Sequence, residues 1–198
     1  RFGFDADKNP PYLTMALGAG SVTPMQLAAG YSVFANGGYR VNPFLITRIT
    51  DHTGKVLVES RPTGLTEPSR AIDARNAFIM NTMLQEVARS GTAARAQATL
   101  KRADIAGKTG TTNDSMDAWF AGYQPNLVGV VWMGYDTPRK LGARETGGGL
   151  SLPIWINFMQ TALKGVPVAE PTPPEGVVRV GGDWYYDEYA RGGGISYL

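Results

Sequence analysis

The chain contains no cysteine and one histidine, His52. Without cysteine there is no thiol nucleophile, no disulfide framework and no cysteine zinc site. A Ser-His-Asp triad or a multi-histidine metal centre would have to be built around His52 alone, and the sequence calls for neither metal nor cofactor. No run of 18 apolar residues occurs, so no segment reads as a transmembrane helix. A charge excess is lacking too. Nineteen basic residues face 17 acidic ones for a net charge of +2, and the basic residues are scattered. That balance provides no electrostatic footprint for nucleic acid. The opening residues, Arg1-Phe2-Gly3-Phe4, show neither an initiator methionine nor the regions of a signal peptide, which predicts a mature N-terminus or a fragment.

What is present suits a packed core. The 198 residues are 43% hydrophobic and 18% charged, enough for one domain or half of a larger one. Glycine (25) and proline (13) together make about a fifth of the chain, against a usual share of about an eighth. Much of the excess falls in residues 166–198, in runs such as Glu170-Pro171-Thr172-Pro173-Pro174 and Gly192-Gly193-Gly194. This segment reads as an extended tail leaving a domain over 1–165.

Along the domain, 9–20 is loop-like. Thr23-Pro24 and Asn36-Gly37-Gly38 bracket a helix over 24–36 carrying Leu27, Tyr31 and Phe34. Runs of β-forming residues at 44–50 and 55–59 flank Asp51-His52-Thr53-Gly54, a hairpin signal that makes His52 a solvated turn residue. Asp73 caps a second helix over 74–89, where Ile79, Met83 and Val87 form a stripe widened by Met80 and Leu84. Strands come next at 104–112, 117–123 and 127–134, joined too closely for parallel crossovers, so they predict an antiparallel meander. A last helix runs from Pro153 to Lys164, with Trp155, Phe158 and Met159 as core. Helices flanking an antiparallel sheet make the fold class α+β.

The stretch that carries chemistry is Ile105-Ala106-Gly107-Lys108-Thr109-Gly110-Thr111-Thr112-Asn113-Asp114. Gly107-Lys108-Thr109 matches the end of a phosphate loop, but Arg102 stands where that loop needs glycine, and Thr111-Thr112-Asn113 is poor helix material. As an extended strand the stretch makes better sense. Thr109 and Thr111 leave one face and Lys108 the other. At a sheet edge, the ammonium and both hydroxyls could close on the terminal carboxylate of a paired peptide. Gly110 permits close backbone approach, and an N–H just beyond it could donate to an oxyanion. A Lys-[Ser/Thr]-Gly triplet alone is weak, arising by chance in about one chain in ten of this size.

Its surroundings add to it. Gly107–Thr112, with Asp117-Ala118-Trp119-Phe120-Ala121-Gly122-Tyr123 and Val128-Gly129-Val130-Val131-Trp132-Met133-Gly134-Tyr135 after it, resembles the C-terminal part of class A, 1a-type bifunctional penicillin-binding proteins. Leu17-Gly18-Ala19-Gly20-Ser21-Val22-Thr23-Pro24, Tyr31-Ser32-Val33-Phe34-Ala35-Asn36-Gly37-Gly38, Gly91-Thr92-Ala93 and Pro153-Ile154-Trp155 with Phe158-Met159 fit the same pattern in the same order. The resemblance implies the C-terminal half of a penicillin-binding, β-lactamase-like transpeptidase fold. It implies an enzyme at the periplasmic face of the bacterial inner membrane that cross-links peptidoglycan stem peptides ending in D-Ala-D-Ala, is acylated by β-lactam antibiotics and works with other cell-wall synthesis proteins. Carried over, Lys108 supplies charge to the carboxylate and the proton network, and Thr109 and Thr111 bind that carboxylate. Gly110 belongs to the same substrate-binding strand, the Thr111 N–H completes the oxyanion hole, and Thr112 supports the strand.

One departure is large. None of the eight serines has a lysine three residues on, and none begins a Ser-x-Asn triplet. The family's nucleophile, its lysine partner and its middle motif are therefore expected upstream, together with the glycosyltransferase domain and the membrane anchor. On that expectation these are the last 198 residues of a longer chain, inactive alone. The alternatives are a non-catalytic module that keeps the strand to hold stem peptides or a partner, and a structural domain in which Lys108 is merely solvated.

Overall fold

The computed structural model describes residues 1–62 and 64–190. Helix α1 (Pro24–Ala35) starts where Thr23 and Gln26 cap each other. The Gln26 N–H donates to the Thr23 hydroxyl at 3.2 Å, and the Thr23 N–H donates to the Gln26 amide oxygen at 2.9 Å. The helix stops at Asn36-Gly37-Gly38. Gly38 has φ +113°, and a Cβ there would meet the Ile72 carbonyl at 2.5 Å, so glycine is required where this turn lies against the approach to the second helix.

Strands β1 (Arg48–Thr50) and β2 (Val56–Glu59) form the expected hairpin, with a shorter first strand. The Asp51 carboxylate holds the turn by accepting from the N–H groups of Thr53 and Lys55 and the Thr53 hydroxyl. His52 is exposed there.

Helix α2 (Ala74–Arg89) is capped by Asp73, whose carboxylate accepts from the Arg75 N–H at 2.9 Å. Its buried stripe is rotated from the predicted one. Ala77, Phe78, Asn81, Leu84 and Ala88 face inward, while Met83 is exposed. The stripe places Ala77 and Ala88 beside Phe78 and Leu84, and the two alanines let the helix backbone approach its neighbours. The buried Asn81 accepts from the Tyr123 hydroxyl through its amide oxygen at 2.8 Å, while its amide nitrogen has no partner among the described residues. Helix α3 (Ala94–Leu100) was not expected, since seven residues with only Ala96 buried carry almost no periodic signal.

Strands β3 (Ala106–Thr111), β4 (Ala118–Gln124) and β5 (Leu127–Met133) form the predicted meander in that order, both pairings antiparallel. On one face Leu84, Ala106 and Tyr123 pack with Tyr31 and Phe34 of α1. On the other, Ile105 and Phe120 pack with Ala96 of α3 and with Leu152, Trp155, Ile156 and Met159 of helix α4 (Leu152–Ala162). The Phe120 and Trp155 rings meet edge to face at 5.0 Å, in space left by glycine. A Cβ at Gly122 would stand 2.9 Å from the Trp155 ring. Phe158, expected in the core, is 52% exposed because it flanks the buried stripe of α4, which is centred on Leu152, Trp155, Ile156 and Met159. The architecture is α+β.

The expected extended tail is instead partly folded. Arg102 donates to the carbonyls of Val166 (2.7 Å) and Pro167 (2.9 Å), tying the segment's start to the sheet. Strands β6 (Val177–Val180) and β7 (Asp183–Tyr186) then form a hairpin around Gly181-Gly182, both at positive φ. The Trp184 ring meets Phe78 of α2 edge-on at 5.0 Å, and Arg75 pairs with Glu188 at 3.1 Å. Aromatic burial brings the chain back onto α2, which the Pro/Gly composition concealed. Residues 191–198, with Gly192-Gly193-Gly194, lie outside the described residues.

Candidate active site

Strand β3 is an edge strand, paired only with β4 among the described residues. The Thr112 N–H donates to the Asp117 carbonyl at 3.1 Å. Hydrogen-bonded pairs alternate along an antiparallel ladder. With Thr111 opposite Ala118 and Thr109 opposite Phe120, the N–H and C=O groups of Thr109 and Thr111 therefore point away from β4, to the open edge. This places a row of backbone groups without a strand partner beside the side chains of the Lys-Thr-Gly triplet.

Lys108 is exposed and leaves the strand on the face opposite the threonines. Its long stem carries the ammonium around the edge, where Nζ donates to the Thr109 carbonyl at 2.9 Å and lies 3.4 Å from Thr109 Oγ1. Thr109 Oγ1 is 2.8 Å from Thr92 Oγ1, at the turn between α2 and α3. Thr111 Oγ1 accepts from the Gly147 N–H at 3.1 Å. The ammonium and two hydroxyls thus converge on one strip of edge. Thr112 serves the turn, its hydroxyl accepting from the Asp117 N–H at 2.7 Å, while the Trp132 indole donates to Asp117 at 2.8 Å. The phosphate-loop reading fails here as it did in sequence, because Gly107–Thr111 is strand.

Two contributors to this arrangement escaped the sequence reading. Gly147 opens a π-helical turn (Gly147–Ser151) after the Thr146 cap, and its fit against the sheet is tight. A Cβ on it would stand within 2.5 Å of the Gly110 carbonyl oxygen, and closer still to that of Trp119. The run Gly147-Gly148-Gly149 was the available signal. Thr92 stands within one of the blocks that resemble the family, but nothing local to it points toward β3.

The strand's start is anchored electrostatically. The Asp104 side chain is fully buried, yet it accepts a two-pronged bond from Arg102 (2.9 and 2.7 Å), the Ala169 N–H (3.0 Å) and the Gln124 amide (3.2 Å). Burial alone would raise its pKa. The guanidinium fork and the other donors outweigh it and hold the carboxyl below its ordinary value. On the other face, burial pushes the Tyr123 phenol up, so it stays protonated to donate to Asn81.

A cavity of about 880 Å³ is lined by Arg40, Thr66, Arg70 and Asp73 among others and shares no residue with β3. Arg70 there donates through Nε and Nη2 to Glu67 and the Tyr39 hydroxyl, while its buried Nη1 has no partner among the described residues. Among the described residues, no group of three His, Asp or Glu side chains could hold a metal ion, and no helix is long and apolar enough to cross a membrane.

Residues 8–160 match the family model described as the penicillin binding protein transpeptidase domain. Penicillin-binding protein 1A of Neisseria flavescens is 50% identical over 189 residues, which is 95% of this chain and 24% of the relative. A crystal structure of penicillin-binding protein 1A from Haemophilus influenzae superposes with a TM-score of 0.82 at 33% identity, covering 93% of this chain and 34% of that one. Penicillin-binding protein A from M. tuberculosis, solved as an imipenem acyl-enzyme complex, matches at TM-score 0.51 and 25% identity over 73% of this chain and 32% of its own. The chain spans about a quarter of the length of the curated relatives it matches.

Proposed function

Because the chain belongs to the penicillin-binding protein transpeptidase family, we propose that it is the C-terminal portion of a peptidoglycan D,D-transpeptidase domain whose nucleophilic serine and lysine partner lie upstream. Residues 1–165 form the transpeptidase portion and 166–198 an appended segment. The enzyme works at the periplasmic face of the inner membrane, held by an upstream anchor, on stem peptides ending in D-Ala-D-Ala. β-Lactams acylate it. The non-catalytic binding module has no observation in its favour.

One observation carries this reading: the outward N–H of Thr111 shares an edge with the hydroxyls of Thr109 and Thr111 and the Lys108 ammonium. A stem peptide adds to β3 as a strand, with Gly110 allowing its backbone close. Lys108 and the two hydroxyls hold the terminal carboxylate. The serine oxygen attacks the penultimate carbonyl, whose developing oxyanion accepts from the Thr111 N–H. The C–N bond breaks, terminal D-Ala leaves with a proton, and the acyl group stays on the serine until an acceptor amine displaces it.

The test is second-order acylation of the longer protein by a fluorescent penicillin, with a melt of each variant. Lys108→Ala should lower the rate on the order of 10²–10³, the scale of one preorganised electrostatic donor, and Lys108→Arg should restore only part of it. Thr111→Ala keeps the N–H and should cost about 1–2 kcal/mol, whereas Thr111→Pro removes the donor and should be far worse. Wild-type rates for both Lys108→Ala and Thr111→Ala would make β3 structural.

A further inference from the structure

We infer that Thr92 is a positioning residue that sets selectivity for a free carboxylate, a statement that rests on the function proposed above. A threonine hydroxyl has one proton to give and two lone pairs to fill. Thr111 Oγ1 accepts from the Gly147 N–H, an obligate donor, so its own proton remains for a ligand. Thr92 creates the same condition at Thr109. Their oxygens are 2.8 Å apart. An anion at the strand edge that accepts the Thr109 proton obliges Thr92 to donate. The Lys108 ammonium, 3.4 Å from the same oxygen, acts in the same sense. With an anion at the edge, both hydroxyls are thus turned outward as donors.

Thr92 is held for this purpose from both sides. Gly91 lies so close to the last turn of α2 that a Cβ would stand 2.8 Å from the Val87 Cα. Ala93 is fully buried, and its N–H donates to the Val87 carbonyl at 3.1 Å. The Thr92 side chain itself is on the exposed rim. It therefore contributes little to the core and much to where the Thr109 proton points. An ester or amide presents a weaker, neutral acceptor in place of the carboxylate, so it should draw less from this arrangement.

The experiment compares acylation of the longer protein by benzylpenicillin and by its methyl ester, for wild type, Thr92→Val and Thr92→Ser. The ratio of the two rates is the readout, because it does not depend on how much of a variant is folded. Thr92→Val should lower the acid-to-ester ratio about 3–10-fold, the scale of one neutral hydrogen bond, since Thr92 reaches the anion only through Thr109. Thr92→Ser should keep it within about twofold, since the hydroxyl is retained. A Thr92→Val ratio equal to wild type overturns the inference, as does a Thr92→Ser ratio that falls as far. A wild-type enzyme acylated by neither compound overturns the proposed function itself, and this inference with it.

Discussion

Replacing Gly147 by alanine puts a methyl group where two carbonyl oxygens already stand. The new Cβ would lie within 2.5 Å of the Gly110 oxygen and closer to that of Trp119, whereas Cβ contacts under 3.0 Å essentially never occur, so the turn must retreat by at least about 0.5 Å. Neither obstacle can swing aside, because both belong to the β3–β4 ladder. Overpacking of this kind costs about 1–3 kcal/mol, and a domain of this size loses about 2–4 °C in Tm per kcal/mol. The retreat also draws the Gly147 N–H away from Thr111, freeing that hydroxyl to turn. Misplacement approaching 1 Å costs up to about 10²-fold in rate, so acylation by penicillin should fall about 10–100-fold. Gly149→Ala is the internal control. Its Cβ would meet only the Thr146 hydroxyl, at an ordinary 3.4 Å, and its N–H bond to Thr146 survives. Melts and acylation rates of the two variants in the longer protein decide the matter. If Gly147→Ala matches wild type in both, or if Gly149→Ala is equally damaged, the close approach does not govern this edge.

Asp104→Asn should cost about 3–5 kcal/mol at neutral pH, because it leaves the Arg102 guanidinium buried without its counter-charge. Since the folded carboxyl sits below its unfolded value near 4, its contribution is complete above that value and disappears as pH falls through the folded one. Melts between pH 7 and pH 2 should therefore show wild type and Asp104→Asn converging at the acid end, and parallel curves would contradict the pairing. Trp184→Ala removes the ring that meets Phe78, so limited proteolysis should cut within 170–176 faster. Unchanged cleavage would mean that the hairpin is held elsewhere.

The sequence by itself determined whatever is decided within a few neighbouring residues. Thr23 and Gln26 can cap each other without help from the rest of the chain, and so can Asp73 and the Arg75 N–H. Asp51-His52-Thr53-Gly54 makes its turn locally, and the short links at 112–117 and 124–127 force an antiparallel meander. The Lys108-Thr109-Gly110 triplet was legible because strand alternation alone separates the ammonium from the hydroxyls. Tertiary structure decided the rest, wherever a residue's environment comes from a distant segment. Asn81 is buried because Tyr123 lies 42 positions further on, and Phe158 is exposed because the stripe of α4 that meets the sheet stops short of it. The hairpin at 177–186 packs because Phe78 offers Trp184 a surface, a fact that no count of prolines and glycines contains. The direction in which the Thr109 and Thr111 protons can point depends on Thr92 and Gly147, 17 and 36 residues away in sequence. Hydrogen-bond donors act over about 3 Å of space, and only the folded chain brings these within that reach.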